Sequence, residues 1–343
     1  MHRVYNKGGL FVSINVTTGK ETDFKKILLK VSKIREITII GVIVLLSIVL
    51  SVISPTFLSA DNLITTVLGI TMMAIVSVGM TLALVSGGFD LSVGSVMSMS
   101  GVVAGSLALG GMNIWLASIL ALIVSGVSGI ITGLFIGKVK INPFIMTLGM
   151  QGVIQGIAYV VTQGAPVSLT QIPASFTFLG QGSIAGIPTL IWILVVVIVV
   201  GDVLMRNFSK ARKIYYLGSN ESAAYLSGIS VDWVKVSIYI LTALLAGFAG
   251  LLTLSRFSVA TPTAGQGMEL QAIAACVIGG ASLSGGEGSV LGALLGSLLV
   301  GLVNDALVLL NVSVYWQSFV TGFVLIAAVT TDVLTHRKEL VRR

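Results

Sequence analysis

The fold of this chain is decided by a stretch without a single charged residue, residues 91–137, which reads LSVGSVMSMSGVVAGSLALGGMNIWLASILALIVSGVSGIITGLFIG. The stretch is 47 residues long. A helix needs about 20 apolar residues to cross a hydrocarbon core of roughly 30 Å. Residues 91–137 therefore hold two membrane spans, and the chain is predicted to be an integral membrane protein.

Three further charge-free stretches repeat this pattern on both sides. They cover residues 37–60, 62–89 and 141–201 and provide one, one and at least two more spans. Only 10% of the 343 residues are charged and 55% are hydrophobic, whereas soluble domains carry roughly 25% charged residues. A soluble globule is excluded. The predicted fold class is an all-α polytopic membrane protein.

Residues that commonly carry redox or hydrolytic chemistry are scarce. The single cysteine, Cys276, lies in an apolar stretch, which excludes a disulfide framework and a cysteine-ligated metal cluster. The two histidines, His2 and His336, lie in polar tails outside every span. We therefore expect no catalytic residue, no metal site and no cofactor. The net charge of +7 comes from basic residues at span ends, which membrane topology explains better than nucleic-acid binding.

The apolar runs predict about ten membrane spans. These cover residues 37–58, 63–86, 91–109, 115–137, 141–163, 187–205, 236–255, 270–284, 288–310 and 314–334. Basic residues collect on alternate loops, as the positive-inside rule requires, and only Arg256 runs against the bias. The predicted organisation is a cytoplasmic N-terminal tail at 1–36, a transmembrane domain at 37–334 with a cytoplasmic loop at 206–235, and a cytoplasmic C-terminal tail at 335–343.

Two places interrupt the regular spans. Residues 87–94 leave almost no loop between two apolar runs, and residues 255–270 contain a polar loop. The first is either a cytoplasmic turn or a helix break within the bilayer, and broken or re-entrant helices are tolerated at membrane depth where they line a cavity. The sequence GGFDLSVGSV at 87–96 also resembles GGASLS at 279–284, followed by GSV at 288–290. This likeness is either chance or the trace of an internal repeat.

Small residues at helical spacing predict close helix packing. Two series of glycines recur every four residues: Gly129, Gly133 and Gly137, and Gly288, Gly292 and Gly296. Residues 126–129, GVSG, also match the pattern of intramembrane serine proteases, but no predicted span contains a histidine to act as base. No phosphate-cradling G-x-x-x-x-G-K-[ST] motif occurs. Any energy source is therefore an ion gradient or another subunit.

Isolated charges inside apolar sequence mark candidate functional positions. Asp90 has no charged neighbour for 28 residues before it and 47 after it. It either caps the helix that starts at Leu91 or contacts a substrate, because an ionised carboxylate is costly in hydrocarbon. Asp305 is similarly unexpected, and Glu269 starts another span after a polar loop. The loop at 206–235 contains GSNESAAYLSGI at 218–229, which is either a solvated amphipathic helix or a docking helix for a cytoplasmic partner.

Several ordered segments together resemble one family. ESAAYLSGI at 221–229 resembles the coupling segment of binding-protein-dependent ABC importers. Three more segments look like signature stretches of the ribose-type permeases, which include permeases for other monosaccharides and for autoinducer-2. They are GGFDLSVGSVMSMSGVVAG at 87–105, INPFIMTLGM at 141–150 and PTAGQGMELQAIAACVIGGASLSGGEGSVLGALLG at 262–296. The likeness runs from about Ile37 to Leu334.

The resemblance implies a permease subunit in a bacterial cytoplasmic membrane, with both termini inside and lipid around it. Its implied partners are two ATP-binding cassette subunits, a second permease that is identical or paralogous, and an extracytoplasmic solute-binding protein. The residues implied for ATPase coupling are Glu221, Ala223, Ala224 and Gly228. The residues expected along the substrate pathway are Asp90, Ser92, Asn142, Gln151, Gln155 and Glu269. Each pathway amide or hydroxyl is alternatively a hydrogen bond between helices.

The function expected from this resemblance is ATP-driven import of a sugar or related polyol-like solute by alternating access. The alternative is an ion-coupled secondary transporter without an ATPase partner. Such carriers pair ionisable groups within the membrane, and this chain offers only Asp90 and Asp305 as clear candidates. An enzyme is the weakest hypothesis because the spans lack catalytic groups.

Overall fold

The computed structural model describes residues 35–313, and residues 315–330 except 317–318, 321, 324–325 and 328. The predicted tails at 1–36 and 335–343 lie outside these residues, apart from positions 35 and 36. Twelve helices have complete bounds within the described part. They are α1 (Arg35–Ile53), α2 (Ala60–Val85), α3 (Val93–Leu109), α4 (Ile114–Gly137), α5 (Pro143–Thr162), α6 (Ala174–Gln181), α7 (Thr189–Asn207), α8 (Ser209–Ser219), α9 (Glu221–Leu226), α10 (Val231–Phe257), α11 (Met268–Ile278) and α12 (Val290–Leu309).

Two pairs of very short strands accompany the helices. β1 (Val167–Ser168) pairs antiparallel with β4 (Val259–Ala260), so that Val167 lies opposite Ala260. β2 (Ser183–Ile184) pairs antiparallel with β3 (Ile187–Pro188). The first pair joins distant parts of the chain and fixes the segment after α5 against the segment after α10.

Seven of the helices are long and apolar enough to cross a membrane, namely α1, α2, α4, α5, α7, α10 and α12. The spans predicted at 91–109 and 270–284 correspond to shorter apolar helices, α3 and α11. The described residues between 315 and 330 are helical and coincide with the tenth predicted span. The all-α polytopic fold class is confirmed, and the count of ten is approximate.

The helix α2 lies at the centre of the bundle. Every residue from Ile70 to Val85 is buried, and α7, α10, α11 and α12 all pack against this helix. A helix that is apolar on all faces is expected at such a position. Its hydroxyl groups are satisfied locally, as in Thr81, which donates to the Ser77 carbonyl at 2.7 Å. Such bonds to the preceding turn accommodate hydroxyl groups within the core.

The glycines of α4 form a contact with α10. A Cβ atom added at Gly133 would lie 2.7 Å from the Cα of Val236, and one at Gly137 would lie 2.7 Å from the Asp232 carbonyl oxygen. Gly129 meets the same helix at the Tyr239 carbonyl. Since a methyl group does not fit at these distances, the backbones of α4 and α10 can approach closely only because these positions are glycine.

The second glycine series packs α12 on α11, but only in part. Gly292 lies against the Gly279 carbonyl and Gly296 against the Ala275 carbonyl. Gly288 differs from the prediction because it lies outside the helix. Ser289 caps α12 by accepting a hydrogen bond from the Gly292 amide at 2.9 Å, and the helix begins at Val290. Gly288 instead has a φ of +151° and lies close to Val85 and Ala281.

One end of the bundle carries α8, α9 and the loop at residues 138–142; we call it the basic end. The segment from 258 to 278 enters the bundle from the opposite end. Ala260 lies against Gly101 and Gly105 of α3, whereas Gly265 lies against Gly94. Between Ala260 and Gly265 the chain therefore runs about 10 Å along α3, toward the basic end, before α11 begins. The segment 258–278 is thus non-helical in its first half and helical from Met268, and we call it the interrupted span. The helix α11 is shorter than the predicted span because it ends at Ile278 and does not continue to residue 284.

The two segments of the suspected repeat lie side by side at the basic end. The Gly286 amide donates to the Val85 carbonyl at 2.8 Å. A Cβ atom at Gly285 would lie 3.0 Å from the Cα of Gly87. Each segment connects a helix to the next, 86–92 between α2 and α3, and 279–289 between α11 and α12. The structure therefore gives the two similar sequences similar places in the fold.

Candidate translocation site and coupling segment

A cluster of polar residues lies where the non-helical segment meets α3, α5 and the start of α11. We call it the central junction and define it by Ser95, Ser98, Gln151, Gln155 and Glu269. Gly265 lies outside any helix, so its amide has no intrahelical carbonyl acceptor and donates instead to Ser98 Oγ at 2.8 Å. The backbone of an interrupted span must be satisfied in this way, or by a ligand, at membrane depth.

Glu269 is the only acidic residue of the junction. It is buried, with 8% of its surface exposed. Gln151 Nε2 donates to its Oε1 atom at 3.1 Å. Its other oxygen, Oε2, has no hydrogen-bond partner within the described part of the chain, and a Cβ atom at Gly94 would lie 2.5 Å from it. A buried carboxylate oxygen without a partner is costly, so this atom is a candidate for binding a ligand donor.

Gln155 lies one helical turn beyond Gln151 on α5 and bridges two elements. Its Nε2 atom donates to the Pro262 carbonyl at 2.6 Å, and its Oε1 atom accepts from Ser95 Oγ at 3.4 Å. The i, i+4 spacing places both amides on the same face of α5. The junction therefore combines amide donors and acceptors with one carboxylate, a set suited to a neutral hydroxyl-rich molecule.

The other predicted pathway residues lie apart from this cluster. Asp90 is buried and its Oδ1 atom accepts from the Ser92 amide at 2.9 Å and from Ser92 Oγ at 2.6 Å. These bonds close a turn just before α3. Asn142 is exposed and caps α5 by accepting from the Phe144 amide at 2.9 Å. The structure thus brings together Gln151, Gln155 and Glu269, but not Asn142.

Asp305, the other unexpected acid, lies on α12 away from the junction. Asn62 Nδ2, near the start of α2, donates to its Oδ2 atom at 2.9 Å. This contact joins two helices and explains how the carboxylate is accommodated. The sequence alone did not mark Gly94, Ser95 and Ser98 as pathway residues. The signal for them was their one-turn spacing on α3 opposite an interrupted span.

The predicted coupling segment forms the short helix α9. Asn220 caps it by accepting from the Ala223 amide at 2.9 Å. Gly228, with a φ of +79°, ends it in a left-handed conformation that glycine adopts readily. Ala224 is buried against the bundle, whereas Ala223 is exposed. Tyr225 and Leu226 are 71% and 84% exposed.

Glu221 belongs to a small ionic network between α9 and the bundle. Its Oε2 atom lies 2.8 Å from Lys235 Nζ and its Oε1 atom lies 3.7 Å from Lys140 Nζ. Lys140 also lies 2.6 Å from Asp232 Oδ1. This hydrogen bond to Asp232 raises the pKa of the Lys140 ammonium group above its ordinary value, which keeps the lysine charged. The network attaches α9 to α10 and to the loop before α5.

The helix α8 contacts both segments of the suspected repeat. Tyr215 Oη donates to the Gly288 carbonyl at 2.9 Å. Gly218 lies directly against the Val85 carbonyl and the Gly286 amide. The helices α8 and α9 are consecutive and joined at Asn220. The helix α8 therefore connects α9 directly with the turns at 85–88 and 285–288.

A polytopic helical bundle with one interrupted span and a polar junction inside it defines a membrane transport protein. Within residues 35–330 that the structure describes, no group of three or more His, Cys, Asp or Glu residues has the arrangement of a metal site. The chain belongs to the family described as branched-chain amino acid transport system / permease component, which matches residues 62–329.

Three relatives carry names that are more specific than the family description. The chain is 40% identical to the ribose import permease protein of Escherichia coli K12 over 297 residues, which are 86% of this chain and 92% of that protein. It is 36% identical to the L-arabinose ABC transporter permease of Azospirillum brasilense, with 86% of both chains covered. It is 33% identical to the D-allose transport system permease of E. coli K12, with 82% and 86% covered. No solved structure matches the chain.

These relationships confirm the resemblance to the ribose-type permeases. The chain is a multi-pass transport permease of the bacterial inner membrane and not an enzyme. They also favour an ATP-driven importer over an ion-coupled carrier, because the arabinose relative is named an ABC transporter permease and the ribose relative an import permease.

Proposed function

We propose that this chain is the permease of an ATP-driven importer and that it moves a sugar through the central junction. The observation that carries the proposal is the Oε2 atom of the buried Glu269, which has no hydrogen-bond partner among the described residues and lies beside Gln151 on the interrupted span. Sugar hydroxyl groups donate to carboxylate and amide oxygens and accept from amide nitrogens. The relatives named above are a ribose import permease, an L-arabinose ABC transporter permease and a D-allose transport system permease, which supports the same substrate class.

The same geometry disfavours an amino acid, although the family description mentions one. The carboxylate of an amino acid would prefer the positive N-terminus of α11. Glu269 occupies the first turn of that helix and brings a negative charge there. Among the described residues, no Lys or Arg forms an ion pair with Glu269. A neutral sugar avoids this repulsion.

The substrate class is tested by uptake of labelled solutes into cells that contain or lack this chain. Ribose, arabinose, allose and leucine cover the pentoses, an aldohexose and the family's nominal substrate. We expect chain-dependent uptake of at least one sugar and none of leucine. Leucine uptake without sugar uptake would contradict the proposal.

Energy for transport would come from ATP-binding cassette subunits that bind the basic end of the bundle. In this arrangement the basic end, the termini and the loop at 206–235 are cytoplasmic. An extracytoplasmic solute-binding protein would deliver the substrate to the opposite end. High affinity belongs to that protein, because a translocation site that held sugar tightly would release it slowly.

The helix α9 is proposed to dock on the ATPase. Its support is the exposure of Ala223, Tyr225 and Leu226 on one short helix beside a charged surface. Glu221, Ala224 and Gly228 would shape and hold this helix, while the exposed residues would enter the cleft. Leu226→Glu should reduce co-purification of the ATPase, whereas Ser209→Glu, on the neighbouring α8, should not. Equal co-purification of both variants would contradict docking through α9.

ATP binding would then move α9, and α8 would carry the movement to the turns at 85–88 and 285–288. Both turns adjoin helices that line or support the central junction, α3 and α11. Alternating access would follow from opening and closing the junction at the basic end. Tyr215→Phe, which removes only the hydroxyl bonded to Gly288, should lower uptake more than it lowers ATPase binding.

A second permease, identical or paralogous, is proposed to pack on α5. Its support is a glycine face on that helix. Gly149, Gly152 and Gly156 have open space where a Cβ would stand, and Gly152 and Gly156 are exposed. Such a face allows close approach of another helix. In a Cys276→Ser background, Gly156→Cys should form a disulfide-linked dimer, whereas Val196→Cys on α7 should not. Equal cross-linking at both positions would contradict this interface.

A further inference from the structure

A deep groove lies between α2, α7, α8 and α10, away from the central junction. Its volume is about 790 Å³. The walls are almost entirely aliphatic and include Val78, Val196, Val200 and Leu245. At its other end the groove is bordered by polar residues of α8 and of the start of α10. Neither the central junction nor the α9 helix takes part in it.

The groove has the length of one membrane leaflet. Along α7 and its C-terminal boundary it runs from Val196 to Phe208, a distance of about 18 Å at the rise of an α-helix. Half of a hydrocarbon core of roughly 30 Å is about 15 Å, and the polar headgroup region adds several more. A transmembrane helix of another subunit would instead need a surface close to twice as long.

The polar mouth of the groove carries positive charge. Lys210 and Lys213 both border it, and their i, i+3 spacing on α8 places them on one face. Neither lysine forms an ion pair with any residue that the structure describes. Ser230 and Ser237 add hydroxyl groups to the lining. Trp233 also lines the groove, and Lys138 Nζ lies 4.3 Å from the centre of its ring.

We propose that this groove binds one anionic phospholipid from the leaflet at the basic end. The acyl chains lie along the aliphatic walls of α2, α7 and α10, and the phosphate lies between Lys210 and Lys213. Basic pockets at the cytoplasmic ends of transmembrane helices bind such headgroups, and tryptophan is common at this depth. The bound lipid contacts α7, α8 and α10. It thereby stabilises the position of α8, the helix that contacts the turns at 85–88 and 285–288.

The test uses the fluorescence of Trp233 in the full-length chain reconstituted in lipid vesicles. Trp115, Trp192 and Trp316 are replaced by phenylalanine, and retained uptake shows that this variant is folded. Brominated phosphatidylglycerol and brominated phosphatidylcholine are then compared as quenchers. We expect phosphatidylglycerol to quench Trp233 at a several-fold lower mole fraction. Lys210→Gln and Lys213→Gln should each reduce this preference by about five-fold.

Arg212→Gln is the matched control, because Arg212 is exposed on α8 but does not line the groove. It should leave the preference unchanged. Equal quenching by the two lipids, or an equal loss in all three variants, would show only nonspecific contact with the bilayer and would overturn the proposal. Absence of quenching by either lipid would show that no lipid lies beside Trp233, and would overturn it as well.

Discussion

Two glutamates occupy similar positions in short helices but have opposite surroundings. Glu221 is the first residue of α9 and Glu269 the second residue of α11. Glu221 is half exposed and lies within 4 Å of two lysines. Glu269 is buried, receives one amide hydrogen bond, and has an oxygen without a partner among the described residues. A helix N-terminus stabilises both carboxylates. The two residues therefore differ only in their other contacts.

The carboxylate of Glu221 stabilises the position of a helix, whereas that of Glu269 has an oxygen available to bind a ligand. Exposed ion pairs contribute little stability each, about 0.2–1 kcal/mol, but a network of them fixes the position of α9. A buried carboxylate with a free oxygen costs folding energy and persists where function requires it. We therefore interpret Glu221 as a positioning residue for coupling and Glu269 as a residue that contacts the substrate.

The largest expected effect comes from filling the space beside Glu269. A methyl group at Gly94 would overlap the Gly265 carbonyl and lie 2.5 Å from Glu269 Oε2. Because the nearest obstacle is backbone, Gly94→Ala should cost about 3 kcal/mol or more and reduce uptake to background. Gly69→Ala is the control, since no atom lies within 4 Å of its added Cβ. Normal uptake by Gly94→Ala would show that the junction is not tightly packed.

A second experiment removes the charge of Glu269 and keeps its shape. Glu269→Gln should lower the rate of sugar uptake by about 10- to 100-fold, because a hydrogen bond to a charged group contributes about 1.5–3 kcal/mol. Membrane insertion and ATPase association should stay unchanged, as measured by membrane content and co-purification. An uptake rate equal to that of the unmodified chain would show that Glu269 does not contact the substrate.

Charge reversal at Glu221 should have a smaller effect on uptake but a clear one on coupling. Glu221→Lys places a third positive charge beside Lys140 and Lys235, and should lower uptake and sugar-stimulated ATPase activity by about ten-fold or more. Ser209→Lys, on exposed α8, should be mild. Adding Lys235→Glu to Glu221→Lys should restore part of the activity. If the single variant transports normally with the ATPase bound, the segment is an ordinary solvated loop.

The smallest effect is expected at Asn142. The structure gives this residue a capping bond to Phe144, and loss of such a cap costs about 1 kcal/mol of stability. Asn142→Ala should therefore lower the thermal stability slightly and change the sugar concentration at half-maximal uptake by less than about two-fold. A large change in that concentration, with unchanged stability, would show that Asn142 contacts the substrate.

The spans could be predicted from sequence because the thickness of the bilayer sets the length of an apolar run. The interrupted span was harder. Residues 270–284 carry no charge and are largely apolar, yet α11 covers only Met268–Ile278. Gly267 and Gly280, both with positive φ, bound the helix, and hydropathy does not register backbone conformation. The cap at Asn142 was predictable, because an asparagine followed by proline favours the start of a helix.

The central junction could be predicted only in part. Gln151 and Glu269 are 118 residues apart in sequence, and no local pattern reveals that they meet. The sequence marked both as polar residues in apolar surroundings, which is the general signal of a pathway or a helix contact. The likeness between 87–96 and 279–290 did not predict a contact, and residues 85–87 meet residues 285–286 because of the way α2 and α12 pack.

The central claim is that sugar moves through this chain at the expense of ATP. The most direct measurement is the initial rate of labelled sugar uptake by cells, with the ATPase subunit deleted or with a proton ionophore added at constant cellular ATP. We predict that uptake is lost on deletion of the ATPase and persists with the ionophore. Uptake that persists without the ATPase and collapses with the ionophore would contradict the account and identify an ion-coupled carrier.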